Sequence, residues 1–206
     1  MEESLMRIRL ALTLALRDRE VGVRIEAARA LERVEGASAL EHLAVTAESA
    51  DTEGALRAIY AVGDIGGEKA FAILLKALKA SQVEVRAAAV KFLARTGDPR
   101  AVDHLINALE DPSPDVKVLI LEALGEFREP RILEVLLSQF QGASGPPREA
   151  VISALGKLGD IRAVNAILPL VTDDAPTIRE RVAEALGRLG VRAAEEAELE
   201  GISPPV

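Results

Sequence analysis

Apolar residues in this chain fall at helical spacing, and the pattern returns at one fixed interval, the one that separates Leu31 from Val62. Between Val83 and Glu110, the residues Val85, Ala88, Ala89, Phe92 and Leu93 recur three and four apart, as on a helix with one buried face. Gly97-Asp98-Pro99 interrupts that helix, because glycine tolerates the left-handed conformation past a helix end and proline cannot continue a helix. Ala101, Val102, Leu105, Ile106 and Leu109 then mark a second helix. Asp111-Pro112-Ser113-Pro114 closes the unit, with Ser113 expected as N-cap and Pro114 at the first helical position. The two helices of a unit are called A and B below.

The same alignment runs the length of the chain without insertion or deletion. One column reads Leu31, Val62, Leu93, Leu124, Leu155 and Leu186, and its neighbour Ala30, Ala61, Phe92, Ala123, Ala154 and Ala185. A third column, seven residues before the leucines, reads Arg24, Ala55, Arg86, Lys117, Arg148 and Arg179. A fixed period of this length predicts a solenoid, in which no unit buries its own apolar face and each leans on its neighbours. Residues 4–17 read as a lone B helix. Full units follow at 20–48, 52–79, 83–110, 114–141 and 145–172, and a last A helix at 176–189 leads into a degenerate cap. In that cap Glu195 and Glu198 replace the apolar Val164 and Ile167 of the preceding period. Residues 1–200 are expected to form one solenoid, and 201–206 a short flexible tail.

The apolar stretch Leu10 to Leu16 follows Arg7 and Arg9 and has the outline of a signal peptide. Glu2 and Glu3 spoil the basic start, and no small-residue cleavage site follows. Ile8, Leu12 and Leu16 also keep the phase of Ala39, Leu43 and Ala47, which a cleaved segment has no reason to do. The stretch therefore reads as a helix of the fold, and no segment is long enough to span a membrane. Composition narrows the picture further. Hydrophobic residues are 49% of the chain but aromatics only 2%, so the core is Ala, Leu, Val and Ile, and surfaces for stacking bases are scarce. The net charge of −8 disfavours a nucleic-acid partner. The absence of cysteine excludes disulfides and thiolate chemistry and fits a cytoplasmic location.

Val85-Arg86…Ala89…Phe92-Leu93…Gly97-Asp98-Pro99-Arg100-Ala101-Val102…Leu105-Ile106…Leu109 resembles a HEAT-like repeat. So does Ile178-Arg179…Val182…Ala185-Leu186-Gly187-Arg188-Leu189-Gly190, and the type most similar is the short bacterial and archaeal repeat named after phycobilisome lyases. The resemblance implies an all-α fold: a right-handed α-α superhelix of five full two-helix repeats, an N-terminal half repeat and a degenerate C-terminal capping repeat. It places A helices on the convex face and B helices on the concave face, and it implies a non-catalytic scaffold that binds proteins. An accessory subunit of a bilin lyase is the alternative that the resemblance offers, and a nucleic-acid-binding HEAT-like protein is a further one. Gly54 and Ala55 depart from the Val-Arg pair, so helix A of that unit is expected to start late or out of line.

Candidate chemistry is sparse, and no cofactor or catalytic constellation is indicated. The Arg24 column reads as a structural ladder, because Asp18, Asp111 and Asp173 stand six residues before Arg24, Lys117 and Arg179. A second basic column, Lys69, Arg100, Arg131 and Arg162, opens the B helices, where cations gain nothing from the helix dipole. It reads as a solvated edge or as a contact for an acidic partner. His42 and His104 share a repeat position and follow Glu41 and Asp103. The iron-binding HEAT-like hydroxylases use His-Glu pairs, but these two histidines are two units apart, on the order of 20 Å for packed helices, and cannot share a metal. Gly156-Lys157-Leu158-Gly159 and Gly187-Arg188-Leu189-Gly190 follow helices rather than strands, so they read as turns that end A helices.

What remains is the exposed ridge of the B helices. Its positions are Glu41, Val45, Glu48; Ala72, Lys76, Lys79; Asp103, Asn107, Glu110; Glu134, Ser138, Gln141; and Asn165, Pro169, Thr172. These columns vary in chemistry while the flanking columns stay apolar, and they are the expected protein-binding surface. On the first helix the same columns hold Leu10 and Leu14, and with Leu5 they are expected to leave an exposed apolar patch that a partner or a second copy covers, the latter as a two-fold homodimer.

Overall fold

The structure, a computed structural model, describes residues 2–49 and 51–199. All regular structure among them is helical, and the helices gather into two compact units, 1–77 and 78–206.

The first unit holds α1 (Glu2–Ala15), α2 (Val21–Ala47), α3 (Thr52–Ile65) and α4 (Gly67–Ala77). Each packs on the next in order. Ala55, Ala58, Ile59 and Val62 of α3 and Ala70, Phe71 and Leu74 of α4 are buried, as the repeat pattern requires. α2 departs from expectation. It is one helix of 27 residues, where the pattern predicts an A helix, a turn and a B helix. The stretch that the register aligns with Gly97-Asp98-Pro99 is Glu35-Gly36-Ala37, which contains neither proline nor an aspartate that could cap a new helix. A lone helical glycine costs only about 1 kcal/mol, too little to break the helix.

The second correction in this unit concerns Gly54. Helix α3 begins on schedule at Thr52, and Asp51 caps it by accepting a hydrogen bond from the Gly54 N–H at 3.0 Å. A Cβ on Gly54 would stand 2.5 Å from Asp51 Oδ2, so the glycine makes room for the cap. We expect Asp51→Ala to destabilise this unit by about 0.5–2 kcal/mol in urea unfolding.

The second unit holds α5 (Val83–Thr96), α6 (Ala101–Asn107), α7 (Pro114–Glu126), α8 (Arg131–Gly142), α9 (Pro146–Leu158), α10 (Val164–Ile167) and α11 (Pro176–Leu199). The A helices stack in series, α5 on α7, α7 on α9 and α9 on α11, with B segments packed alongside. Leu93, Leu124 and Leu155 are fully buried between them. Each such leucine contributes about 1.5–3 kcal/mol by leaving water. Gly97 and Gly159 end α5 and α9 in the left-handed conformation, as the Gly-Asp turns predict.

Three details of this unit differ from the sequence reading. Ser113 occupies the N-cap position of α7, but its side chain makes no capping bond; the Asp111 carboxylate accepts from the Ser113 N–H instead. The B segment of the fifth repeat is a short α10 between two 3-10 stretches, Ile161–Ala163 and Leu168–Thr172. Pro169 there has no N–H to continue the α-helical ladder. Finally, Gly190 does not end the last A helix. α11 runs unbroken for 24 residues through the segment expected to turn back as a cap. The tail at 201–206 and the side chain of Glu198 lie outside the described residues.

Candidate functional site

The Arg86 column is the most tightly built polar feature. Arg86 Nη1 donates to the carbonyls of Ala80 and Ser81, at 2.9 and 3.0 Å. Its Nε and Nη2 grip the Asp111 carboxylate at 2.6 and 3.0 Å. Both residues are buried. Sequence spacing pairs this column with the aspartates six residues earlier; the ion pair instead reaches forward from Arg86 to Asp111, in the next inter-repeat loop. Arg148 repeats the reach toward Asp173, with N···O at 3.7 Å. Among the described residues Arg24 and Arg179 use the backward contacts alone, donating to the carbonyls of Asp18 and Arg19, and of Asp173 and Asp174. Each aspartate also accepts from the N–H two residues on, as Asp18 does from Glu20. The ladder thus clamps loop to helix and one repeat to the next.

This setting shifts both partners. Burial pushes the Asp111 carboxyl up, but the Arg86 hydrogen bonds, the Ser113 N–H and the Arg86 and Lys117 charges outweigh it and leave it below its ordinary value. The Asp111 hydrogen bonds hold the Arg86 guanidinium above its own.

The second basic column is also supplied with carboxylates. Arg100 pairs with Asp98, and Arg162 with Asp160, both at 2.6 Å. Hydrogen bonds from those arginines hold both aspartates below the usual carboxylate range. Arg131 pairs with Glu129 and, across to the neighbouring B helix, with Asp103, both at 2.5 Å. Lys69 lies 3.6 Å from Glu41. Both relations are present in the sequence: an acid stands two positions before each of the three arginines, and Glu41 and Asp103 precede Lys69 and Arg131 by one identical interval.

All fifteen ridge positions proposed from sequence are exposed. In the first unit these are Glu41, Val45, Glu48, Ala72 and Lys76, with Glu48 and Lys76 paired to each other. In the second they are Lys79, Asp103, Asn107, Glu110, Glu134, Ser138, Gln141, Asn165, Pro169 and Thr172. Val45 is 73% exposed. Lys79, Asn107, Glu110 and Gln141 make no side-chain hydrogen bond or ion pair among the described residues. On α1, Leu10 and Leu14 are each 63% exposed, whereas Leu5 is half-buried and so contributes less to the patch than expected. Met6 and Ile8 are exposed as well.

The cavities are shallow. One of about 260 Å³ in the second unit is lined by Arg128, Glu129, Pro130, Leu158, Gly159, Asp160, Ile161 and Arg192, none of them aromatic. His42 and His104 are both exposed, and no group of three potential metal ligands forms among the described residues. No helix among those residues is long and apolar enough to cross a membrane.

Two-helix repeats that recur at one fixed register, with Val62, Leu93, Leu124 and Leu155 of the leucine column sealed inside, define an all-α solenoid. The chain belongs to the HEAT-repeat family, whose model matches residues 43–110 and 102–187 and so covers more than half of the sequence. Among solved structures it is similar to the complex of CpcE and CpcF of phycocyanin lyase from Nostoc sp. PCC7120. There the TM-score is 0.63 and the identity 22%, over 80% of this chain and 71% of that one. It is also similar to YibA of Escherichia coli, with a TM-score of 0.59 and 18% identity over 92% of this chain and 70% of that one. An engineered protein matches with a TM-score of 0.53 and 18% identity over 90% and 97% of the two chains. No curated protein matches the sequence.

Proposed function

We propose that this protein is a non-catalytic scaffold that binds another protein along the exposed B-helix ridge, with Leu10 and Leu14 on α1 as an apolar anchor. The observation that carries this reading is the contrast between columns. On α4, α6 and α8 the flanking positions are apolar and mostly buried, while the ridge is exposed and chemically varied, and Val45, Leu10 and Leu14 add exposed apolar side chains to it. The ion pairs divide the ridge by role. Glu41, Glu48, Lys76 and Asp103 are engaged in pairs between neighbouring B helices and set helix spacing. Lys79, Asn107, Glu110 and Gln141 remain for a ligand. The column of Lys69, Arg100, Arg131 and Arg162 is assigned to framing rather than to an acidic partner, because each cation already faces a carboxylate.

A bilin-lyase role rests on the likeness to a phycocyanin lyase, and fold alone does not carry activity. The charged, non-aromatic lining of the cavity at Arg128 and Arg192 offers a linear tetrapyrrole little to pack on.

Capture of partners from the native host tests the scaffold reading. Leu10→Glu/Leu14→Glu and, separately, Val45→Glu/Asn107→Lys are expected to lower recovery of a specific partner at least about tenfold, as loss of interface anchors does. All four side chains are exposed, so the fold survives the changes. Unchanged recovery with both variants would sink the proposal.

A further inference from the structure

The last A helix of the second unit and the first helices of the first unit each carry the positions that join repeats elsewhere, left open among the described residues. Within the second unit, neighbouring A helices approach so closely at Gly125 and Gly156 that an added Cβ would stand 2.8 Å from Ala154 Cα and 2.6 Å from Ala185 Cα. Gly187 is the next member of the glycine column, on α11, and a Cβ added there would meet nothing within 4 Å among the described residues. Ala183 is exposed, although Val90, Leu121 and Ile152, its counterparts, are buried. Leu186 is half-buried, although Leu93, Leu124 and Leu155 are sealed. Arg179 makes the two backward bonds of its column, and its guanidinium finds no carboxylate among the described residues. Because α11 runs straight on, the described chain does not turn back to supply this last A helix with a B helix.

The first unit shows the complementary openings. α1 keeps the B-helix phase, and Ile8 is 48% exposed where Ala70, Ala101, Ile132 and Ala163 of its column are buried, Ala39 on α2 being exposed as well. Val23 is 43% exposed where Val85, Val116 and Ile178 are buried. Between α1 and α2 lies an open groove of about 530 Å³, lined by Leu12, Ala15, Val23, Ala27 and Ala30 among others. Ala30 belongs to the column of Ala154 and Ala185, which receive Gly125 and Gly156. Asp18 belongs to the column of Asp111 and Asp173, which receive Arg86 and Arg148, and it pairs with no cation among the described residues.

We propose that the groove between α1 and α2 of one copy receives α11 of a second copy, so that the chain associates head to tail. α1 becomes the B helix of the repeat that α11 begins. Gly187 meets Ala30 of the next copy, and Arg179 meets its Asp18, in the register of the internal repeats. The contact is heterologous, so it extends into a chain or closes into a ring rather than stopping at a two-fold dimer. It uses the Ile8 face of α1 and leaves Leu10 and Leu14, on another face, to the ridge. It deepens the proposed function only in assigning a partner to α1, and the ridge variants above do not touch it.

Sedimentation of the full chain across a wide concentration range tests this. The average mass is expected to rise with concentration. Ile8→Asp, at an exposed position, and Gly187→Phe, in open space, are each expected to be monomeric alone. Mixed in equal amounts, they are expected to form a dimer and nothing larger, since each supplies the one intact end the other lacks. Asp18→Arg and Arg179→Asp should each weaken assembly, and both changes in one chain should restore it. A wild-type protein that stays monomeric throughout overturns the proposal. So does a Gly187→Phe variant that assembles like wild type while Ile8→Asp does not, the pattern of two-fold pairing through α1.

Discussion

Arg86→Ala is expected to destabilise the second unit by about 3–5 kcal/mol, the cost of leaving one partner of a buried ion pair uncompensated. The Asp111 carboxylate would lose both guanidinium contacts while staying buried. The carbonyls of Ala80 and Ser81 would lose their donor as well. Asp111→Ala is expected to cost a similar amount, since it also removes the acceptor for the Ser113 N–H at the start of α7. The double variant should cost less than the sum of the two, with a coupling of at least about 1 kcal/mol, because the residues contact each other directly. Urea unfolding of the four proteins gives the cycle. An additive result would mean that the two side chains act separately and that the ladder does not hold repeats together.

The same pair sets a pH dependence. Asp111 is held below its ordinary value in the folded state, so its contribution is complete above the ordinary carboxylate range, near pH 4, and is lost as pH falls through the folded value. Arg86 is shifted upward from an already high value, so it stays charged throughout and adds no slope in acid. Stability should therefore be flat near neutrality with respect to this pair and fall in acid, and Asp111→Asn should flatten that fall. Asp98 and Asp160 carry the same sign but sit in more exposed pairs. Their share is smaller, because solvent screens them.

The sequence makes the repeat register legible because the turns between Val62 and Pro176 contain residues that physically stop helices. Gly97 and Gly159 adopt positive φ, Asp111 and Asp160 accept from backbone N–H groups two residues on, and Pro114 and Pro146 can only begin helices. The turns expected at Gly36 and Gly190 lack those partners, and helices α2 and α11 run through both. A glycine in an apolar row signals a turn only when a second residue rewards the break. The polar ladder is legible in kind but not in partner. Proximity along the chain points to the aspartate six residues earlier, whereas packing brings up the next inter-repeat loop, with Asp111 against Arg86 and Asp173 against Arg148. The ridge is legible because exposure follows from helical phase alone, and every ridge position is exposed. Its internal pairing is not, because Glu41–Lys69 and Asp103–Arg131 join different helices at a spacing that only stacking creates.

The glycine column gives the second large effect, with opposite signs at two positions of the same repeat column. Gly156→Leu is expected to destabilise the second unit by about 1–3 kcal/mol or more, as overpacking does. Its Cβ alone would stand 2.6 Å from Ala185 Cα and 2.7 Å from Ala185 Cβ, so backbone rather than a flexible side chain must give way, and α9 and α11 must separate. Gly187→Ala, one period later in the same helix-interior setting, meets nothing within 4 Å. There the intrinsic preference of alanine over glycine in a helix decides, and the variant is expected to be more stable by about 0.5–1 kcal/mol in dilute solution. Denaturant midpoints of the two variants against wild type measure both signs. If Gly187→Ala destabilised the dilute monomer, α11 would be packed against something beyond the repeats described, and the opening on that face would not exist. If Gly156→Leu were neutral, the close approach of α9 and α11 would not be a constraint on the fold. Because both residues belong to one column, sequence alone assigns them one role. Only the position in the stack separates a glycine that a neighbour demands from a glycine that still waits for one.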